Sequence, residues 1–227
     1  MAVRVTWLGH AAVQIDTSAH SILIDPFLTD NPAAKVSADD VSADFIIISH
    51  GHGDHVGDAL KIAQRCNATI ISNYEIAEWC GKNGAPNVHP QHIGGAFHHP
   101  FGTLKLTIAH HGSMLPDGSY GGNPCGVLLS VEGKKIYDAC DTGLFYDMKL
   151  IGEAGIDLAL LPIGDNFTMG PEDALRAVQL VKPRRVVPIH YNTWPLIAQD
   201  PHAWAEQVRA QTESEPVVLE PGQSIDV

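Results

Sequence analysis

The chain has 227 residues, 44% of them apolar, and its 26 acidic against 14 basic side chains leave a formal charge of −12. The apolar share supplies a full core, and the length suits a single domain over residues 1–227. The acidic surface repels phosphate backbones and excludes general nucleic-acid binding, and no apolar run is long enough to form a transmembrane span.

The start of the chain shows no signal-peptide pattern, so the expected compartment is the cytoplasm. Residues 3–8 and 12–16 alternate as a hairpin around Gly9-His10, and Ser21 to Asp25 reads as a further strand ending at Asp25-Pro26. Residues 30–44 are polar and Ala-rich and predict a loop with a short helix. Phe45-Ile46-Ile47-Ile48 is an uncharged, β-branched run and predicts a buried strand. Asp58 to Cys66 predicts a helix with Leu60, Ile62 and Ala63 as its apolar face and Asp58 at its start. Ala68 to Ser72 reads as a strand, and Tyr74 to Asn83 as a helix stopped by Gly84. Beyond residue 88 strands alternate with glycine turns at 88–93, 96–99, 103–109, 126–131 and 134–139. A Gly- and Pro-rich loop spans Ser113 to Pro124, and Leu144 to Ala154 is partly helical. Leu158 to Pro162 and Arg185 to Ile189 are buried strands, and Pro171-Glu172-Asp173 opens a helix well. Ala203 to Gln211 predicts a helix, with closing strands at Pro216 to Leu219 and Ser224 to Val227. Many strands in both halves, with helices between only some of them, suggest two packed sheets with helices outside: an α/β, four-layer αββα sandwich.

The chemistry gathers after the strand at Phe45. Ser49-His50-Gly51-His52-Gly53-Asp54-His55 brings four potential metal ligands into six residues, with glycines free to adopt positive φ between them. Imidazole and carboxylate together suit zinc, manganese, iron or nickel. His50 and His52 point one way and Asp54 and His55 another, which suggests two metals with further ligands from other strand ends. His110-His111, Asp141 and His190 each end an apolar strand, and on a strand only one of two adjacent histidines faces the site. Cys66, Cys80, Cys125 and Cys140 form no CxxC pair and read as buried thiols.

His50-x-His52-x-Asp54-His55, followed by His, Asp and His at strand ends, resembles the metallo-β-lactamase superfamily. Trp7-Leu8-Gly9-His10, Ile24-Asp25-Pro26-Phe27-Leu28, Asp141-Thr142-Gly143, Pro162-Ile163-Gly164-Asp165 with Phe167 to Ala174, and His190-Tyr191 resemble its small bacterial metal-dependent hydrolases, relatives of ascorbate-6-phosphate lactonases and of N-acyl-phosphatidylethanolamine phospholipases D. The resemblance implies one metal on His50, His52 and His111, a second on Asp54, His55 and His190, and Asp141 as the bridge. It favours His111 over His110, because the family's ligand is the histidine followed by Gly or Ser. The family carries Gly before the bridging Asp, so Cys140 here is expected to narrow the pocket. His10 is read as a substrate or ligand-supporting contact or else a surface turn residue. Asp25 is read as the orienter of a ligand histidine, and Asp165 as part of a pocket-edge loop or a helix cap. His89, His92, His98 and His99 read as ordinary strand and turn residues, and Tyr120 as a weak substrate-side candidate.

The implied activity is hydrolysis by two divalent ions, zinc before manganese, iron or nickel, with a bridging hydroxide that attacks an ester, lactone or phosphodiester and Asp54 as the base. Two divalent ions against two carboxylates and a hydroxide leave a small positive excess, which favours a small anionic substrate. The expected partner is that small molecule, and homo-oligomerisation is compatible with the composition. Two rival readings are a di-iron redox enzyme, which would place Glu at His52 and need a flavin domain, and a metal-stabilised binding protein without catalysis.

Overall fold

The computed structural model describes residues 3–227; the first two residues of the expected domain lie outside it. Six strands build most of one sheet: β1 (Arg4–Gly9), β2 (Ala12–Asp16), β3 (Ser21–Ile24), β4 (Phe45–Ile47), β5 (Thr69–Ser72) and β6 (Asn87–Pro90). Between them lie helices α1 (Gly53–Val56), α2 (Ala59–Cys66) and α3 (Tyr74–Lys82). The second sheet holds β7 (Ala96–His99), β8 (Gly102–Ile108), β9 (Cys125–Val131), β10 (Lys134–Asp138), β11 (Leu158–Pro162), β12 (Arg185–Ile189) and β13 (Glu215–Pro216), interleaved with α4 (Met148–Gly152), α5 (Pro171–Val181) and α6 (Pro201–Gln211). The last strand, β14 (Ser224–Asp226), returns to the first sheet and pairs antiparallel with β1.

Each sheet has seven strands, in the orders β14-β1-β2-β3-β4-β5-β6 and β13-β12-β11-β10-β9-β8-β7. Both are mixed. β3 to β6 run parallel, as do β10 to β13, and the remaining pairs are antiparallel. The parallel strands need helices on their faces, because the crossover between parallel neighbours is the helix that covers them. The period of two along the strands divides the core accordingly. Ile22, Ile24, Ile47 and Ile71 face the interior shared with Leu104, Leu106, Val127 and Leu129 of the other sheet. Their neighbours Leu23, Ile46 and Ile70 face the opposite way, onto Ala59, Ile62, Ala63, Ile76 and Cys80 of α2 and α3. The expected αββα layering is therefore the observed one.

Local departures have local causes. Residues 30–44 form turns and no helix. The Asn31 side chain ties the chain to the Phe27 carbonyl and accepts from the Ala33 amide, and the Arg65 guanidinium takes the Ala38 and Val41 carbonyls that a helix would have used internally. Helix α4 covers only the middle of 144–154, and β13 is shorter than expected. Asp58 precedes α2 but does not cap it. Its carboxylate accepts from the Leu28 and Thr29 amides (3.1 and 2.8 Å) and from the Thr29 hydroxyl (2.7 Å), clamping the loop after Asp25 instead. Leu60 is only half-buried, and Ala59 takes its expected place in the apolar face of α2. The stretch 195–197 is a 3-10 turn that residue patterns did not signal.

Candidate metal centre

Six chain segments end at one edge of the sandwich: β1, β3, β4, β8, β10 and β12 deliver His10, Asp25, His50, His111, Asp141 and His190, respectively. Four of the residues at or beside these ends adopt left-handed backbone: His10 (φ 56°), Asp25 (φ 44°), Cys140 (φ 51°) and His190 (φ 55°). A non-glycine residue there is strained by roughly 1 kcal/mol or more, and such strain persists where packing on all sides enforces it. Each kink turns the chain off its strand and aims the side chain at the common edge. Gly51 and Gly53 do not have positive φ, contrary to expectation; the left-handed glycine of the loop is Gly57 (φ 39°), at the end of α1. Gly51 is needed for closeness, since a Cβ there would lie 3.0 Å from the Met114 carbonyl carbon.

The donor atoms fall into two clusters. His50, His52 and His111 each present a ring nitrogen within 4.8 Å of the others, and His10, Asp54, His55 and His190 do the same with their own donors. Asp141 stands between the clusters: its Oδ2 is 3.4 Å from His111 Nε2, 3.3 Å from His55 Nε2 and 3.1 Å from His190 Nε2. These close approaches do not satisfy the atoms. His55 Nε2, both ring nitrogens of His190 and Asp141 Oδ1 are buried without a hydrogen-bond partner. Buried polar atoms are almost always partnered, so unpartnered ligand-type atoms from three residues converging on one point fit a cation between them. The donor set, imidazole and carboxylate only, fits a divalent ion of the zinc type.

Supporting contacts settle which ring nitrogens are free. His55 Nδ1 donates to Asp25 Oδ2 at 2.8 Å. The Ser49 hydroxyl donates to the same oxygen at 2.5 Å, which leaves His50 Nδ1 to donate to Ser49 Oγ at 2.9 Å. The Ser49 amide fixes the other Asp25 oxygen at 2.8 Å. Asp25 thus orients two imidazoles at once, one directly and one through Ser49, and leaves Nε2 of both facing the site. On the other side His10 is fully buried, so it is no surface turn residue. Its Nε2 donates to Asp54 Oδ2 at 3.2 Å, and its Nδ1 accepts from the Thr193 hydroxyl at 2.8 Å. Trp7 donates to the His10 carbonyl and stacks on Tyr191, holding the turn from below.

Burial sets the charges. It pushes His10 down to about 4 and holds His50 and His111 below the usual imidazole range. Burial opposes charge on His55 too, but Asp141 and Asp25 outweigh it and raise the ring well above its usual range. Burial likewise opposes ionisation of Asp141, yet His190 and His55 hold it well below the ordinary carboxylate range. For Asp54 the hydrogen bond from His10 overcomes burial and keeps the carboxyl low.

The centre opens into a cleft of about 400 Å³ lined by His52, Asp54, His111, Asp141 and His190 on its floor and by Phe167, Trp194 and Leu196 on its walls. Trp194, Leu196 and Thr193 were not singled out from the sequence, and Phe167 and Ser49 stood only within longer motifs, with no wall or supporting role read for them. Asp165 does not reach the cleft. It is exposed, turns the chain at φ 61°, and accepts from the Asn166 amide, while α5 begins at Pro171 after Gly170, without a side-chain cap. Asp165 does not cap the helix, but its loop does edge the cleft, through Phe167. Cys140 is buried away from the cleft with its sulfur toward the Asp138 carbonyl, so it does not narrow the pocket. Its left-handed φ explains why glycine suits that position. His110 is exposed, packs edge-on against Phe145, and stands outside both donor clusters. Tyr120 is exposed and does not line the cleft.

Residues 20–191 match the Beta-lactamase superfamily domain. A UPF0173 metal-dependent hydrolase of Pelotomaculum thermopropionicum is 52% identical over 99% of this chain and 100% of its own, and one of Thermus thermophilus is 51% identical over 91% and 92%. Among solved structures, a metallo hydrolase of the archaeon Ignicoccus hospitalis superposes with a TM-score of 0.92 at 36% identity, covering 100% of this chain and 99% of that one. A donor cluster at a shared sheet edge, on this fold and with relatives this similar, places the chain in the β-lactamase superfamily, as one of its metal-dependent hydrolases.

Proposed function

We propose that the protein is a dinuclear hydrolase that directs water at an ester, lactone or phosphodiester of a small substrate. The observation that carries this reading is the convergence of unpartnered donor atoms from His55, His190 and Asp141 beside the His50, His52 and His111 cluster. His50, His52 and His111 would hold one ion, Asp54, His55 and His190 the other, and Asp141 reaches both. Zinc suits the donors best, with manganese, iron or nickel as alternatives. Bound divalent ions supply Lewis acidity and make water a usable nucleophile near neutral pH.

The chain's own groups do the rest. Asp54 is partly exposed to the cleft and ionised, so it can accept a proton from water and pass it to the departing oxygen. His10, neutral and with its Nε2–H on Asp54, fixes that carboxylate and leaves its second oxygen free for the task. Asp25 and Ser49 keep the ligand imidazoles from rotating. Phe167, Trp194 and Leu196 wall the cleft.

Elemental analysis of protein purified without chelator tests the reading. About two equivalents of divalent metal per chain are expected, with His111→Ala losing about one and His110→Ala none. Saturation of the reconstituted wild type at one equivalent refutes the dinuclear arrangement.

A further inference from the structure

The walls of the cleft say more about the substrate than its floor does. Besides the donor set, the cleft is lined by Phe167, Trp194 and Leu196 alone. Phe167 is 52% exposed and Leu196 69% exposed, and what sets them apart from other exposed apolar side chains is that they flank the same cleft beside the donor set. They sit on different loops, one before α5 and one in the 3-10 turn after β12, yet meet over the same floor. Trp194 is anchored there by edge contact with the His10 ring at 4.9 Å and lies 6.1 Å from Phe27. Among the described residues, no lysine or arginine lines this cleft, nor the one of about 530 Å³ that shares His111 with it. Proteins that grip anionic groups away from a metal do so with such cations or with clustered donors. Among the described residues, the carboxylates lining the floor are those of Asp54 and Asp141. The positive excess of a loaded centre therefore acts on the reacting group alone, and the remainder of the substrate meets apolar walls.

We propose that the substrate is an uncharged carboxylic ester or lactone with an apolar substituent, and that Phe167, Trp194 and Leu196 form the subsite for that substituent. This deepens the hydrolase reading and rests on it. A carbonyl presents one uncharged oxygen to be polarised, whereas a phosphodiester brings a full negative charge spread over two oxygens, and the walls add no side-chain cation beyond the centre to favour that charge. In the reaction the water oxygen bonds to the acyl carbon and the acyl carbon–oxygen bond breaks. One proton passes by way of Asp54 to the departing alkoxide, giving an alcohol (the hydroxyl end of an opened lactone) and a carboxylic acid that ionises. No oxidant or further reactant enters.

The test uses metal-loaded full-length protein and matched substrates. kcat/KM is measured for p-nitrophenyl acetate, butyrate and hexanoate, for γ-lactones with methyl to pentyl tails, for p-nitrophenyl hemisuccinate, and for bis(p-nitrophenyl) phosphate. In at least one of the two neutral series, each added methylene should raise kcat/KM roughly threefold. The hemisuccinate, which is the butyrate with a carboxylate in place of its terminal methyl, should be at least tenfold poorer than the butyrate. Leu196→Lys should narrow that gap and flatten the length dependence, with folding checked by circular dichroism. Binding supplies an independent readout: quenching of tryptophan fluorescence by alkyl hydroxamates should tighten with chain length in the wild type and lose most of its signal in Trp194→Phe. Flat length dependence in both neutral series, or a phosphodiester that outpaces the esters, overturns the proposal while leaving the hydrolase reading intact. Where no ester or lactone turns over, hydroxamate affinity that ignores chain length overturns it equally. Turnover that survives in His111→Ala stripped of metal instead refutes the hydrolase centre itself.

Discussion

His10 and Asp54 show how one side chain prepares another. A buried histidine with its own pKa pushed down to about 4 stays neutral at pH 7 and donates one fixed hydrogen to the carboxylate. Asp54→Asn keeps the shape and one oxygen but removes the base. It is expected to lower kcat by roughly 10²–10⁴-fold with KM nearly unchanged, provided metal content measured on the same sample matches wild type. A fully loaded Asp54→Asn enzyme at the wild-type rate would take the base role from Asp54. Asp25 makes a different prediction because it never faces the cleft. Asp25→Ala frees His55 directly and His50 through Ser49, so metal affinity should fall by roughly 10–100-fold. Competition with a chelator of known affinity reads this without any substrate, and unchanged affinity would show that packing alone orients the two rings.

At the scale of elements, short connections carry the site. Helix α1 is only four residues long, and it ends where Gly57 lies against the loop that follows Asp25. A Cβ on Gly57 would stand 2.5 Å from the Pro26 carbonyl oxygen and 2.7 Å from Phe27 Cα, and its φ of 39° is already left-handed. Both atoms are backbone and cannot rotate away. Gly57→Ala is therefore expected to destabilise the protein by ~2 kcal/mol or more. Its metal affinity should fall as well, because the same loop positions Asp25 and α1 carries Asp54 and His55. A melting temperature within 1 °C of wild type would show that the contact relaxes easily. Gly164 plays the matching part across the site, where a side chain would overlap the His190 carbonyl.

For the molecule as a whole, pH acts through buried histidines. His10 and His99 are each pushed down to about 4 by burial, and His50 well below its usual range, while unfolded histidine titrates near 6.5. Between those values the unfolded chain binds protons that the folded one refuses, so the metal-free protein loses stability as pH falls from about 6.5 toward about 4. His55 works the other way: its pKa is raised, so its contribution is present below about 6.5 and fades as pH rises through the folded value. His99 separates this effect from the metal centre, since it lies on β7, stacked on Phe101 at 5.0 Å. His99→Phe should remove ~1–2 kcal/mol of the loss between pH 7 and pH 5, about 2–8 °C in melting temperature for a chain of this size. An equal fall in variant and wild type would assign the acid sensitivity elsewhere.

The amino-acid order by itself determined a good deal here. Period-two apolar runs such as Phe45 to Ile48 already specify strands, and polar ligand types placed directly after them specify a strand-end site. His50-x-His52-x-Asp54-His55 carries its chemistry in a few consecutive residues, and the residues that complete the donor clusters were legible because each ends an apolar strand. Asp25 was legible for the same reason. Other features exist only in three dimensions. Ser49 matters because two strands running side by side bring Asp25 to its hydroxyl, and Thr193 because the turn after β12 folds back over His10. Phe167, Trp194 and Leu196 have no pattern in the chain; they become a wall only when two distant loops close over one edge. Asp58 stands at its helix start and the Asp165 loop rims the cleft, as local rules suggest, but the carboxylates themselves accept from other backbone amides and cap no helix. Local sequence sets which residues can act, because secondary structure and ligand chemistry are local; the supporting contacts and the cleft walls are long-range, and packing alone decides them.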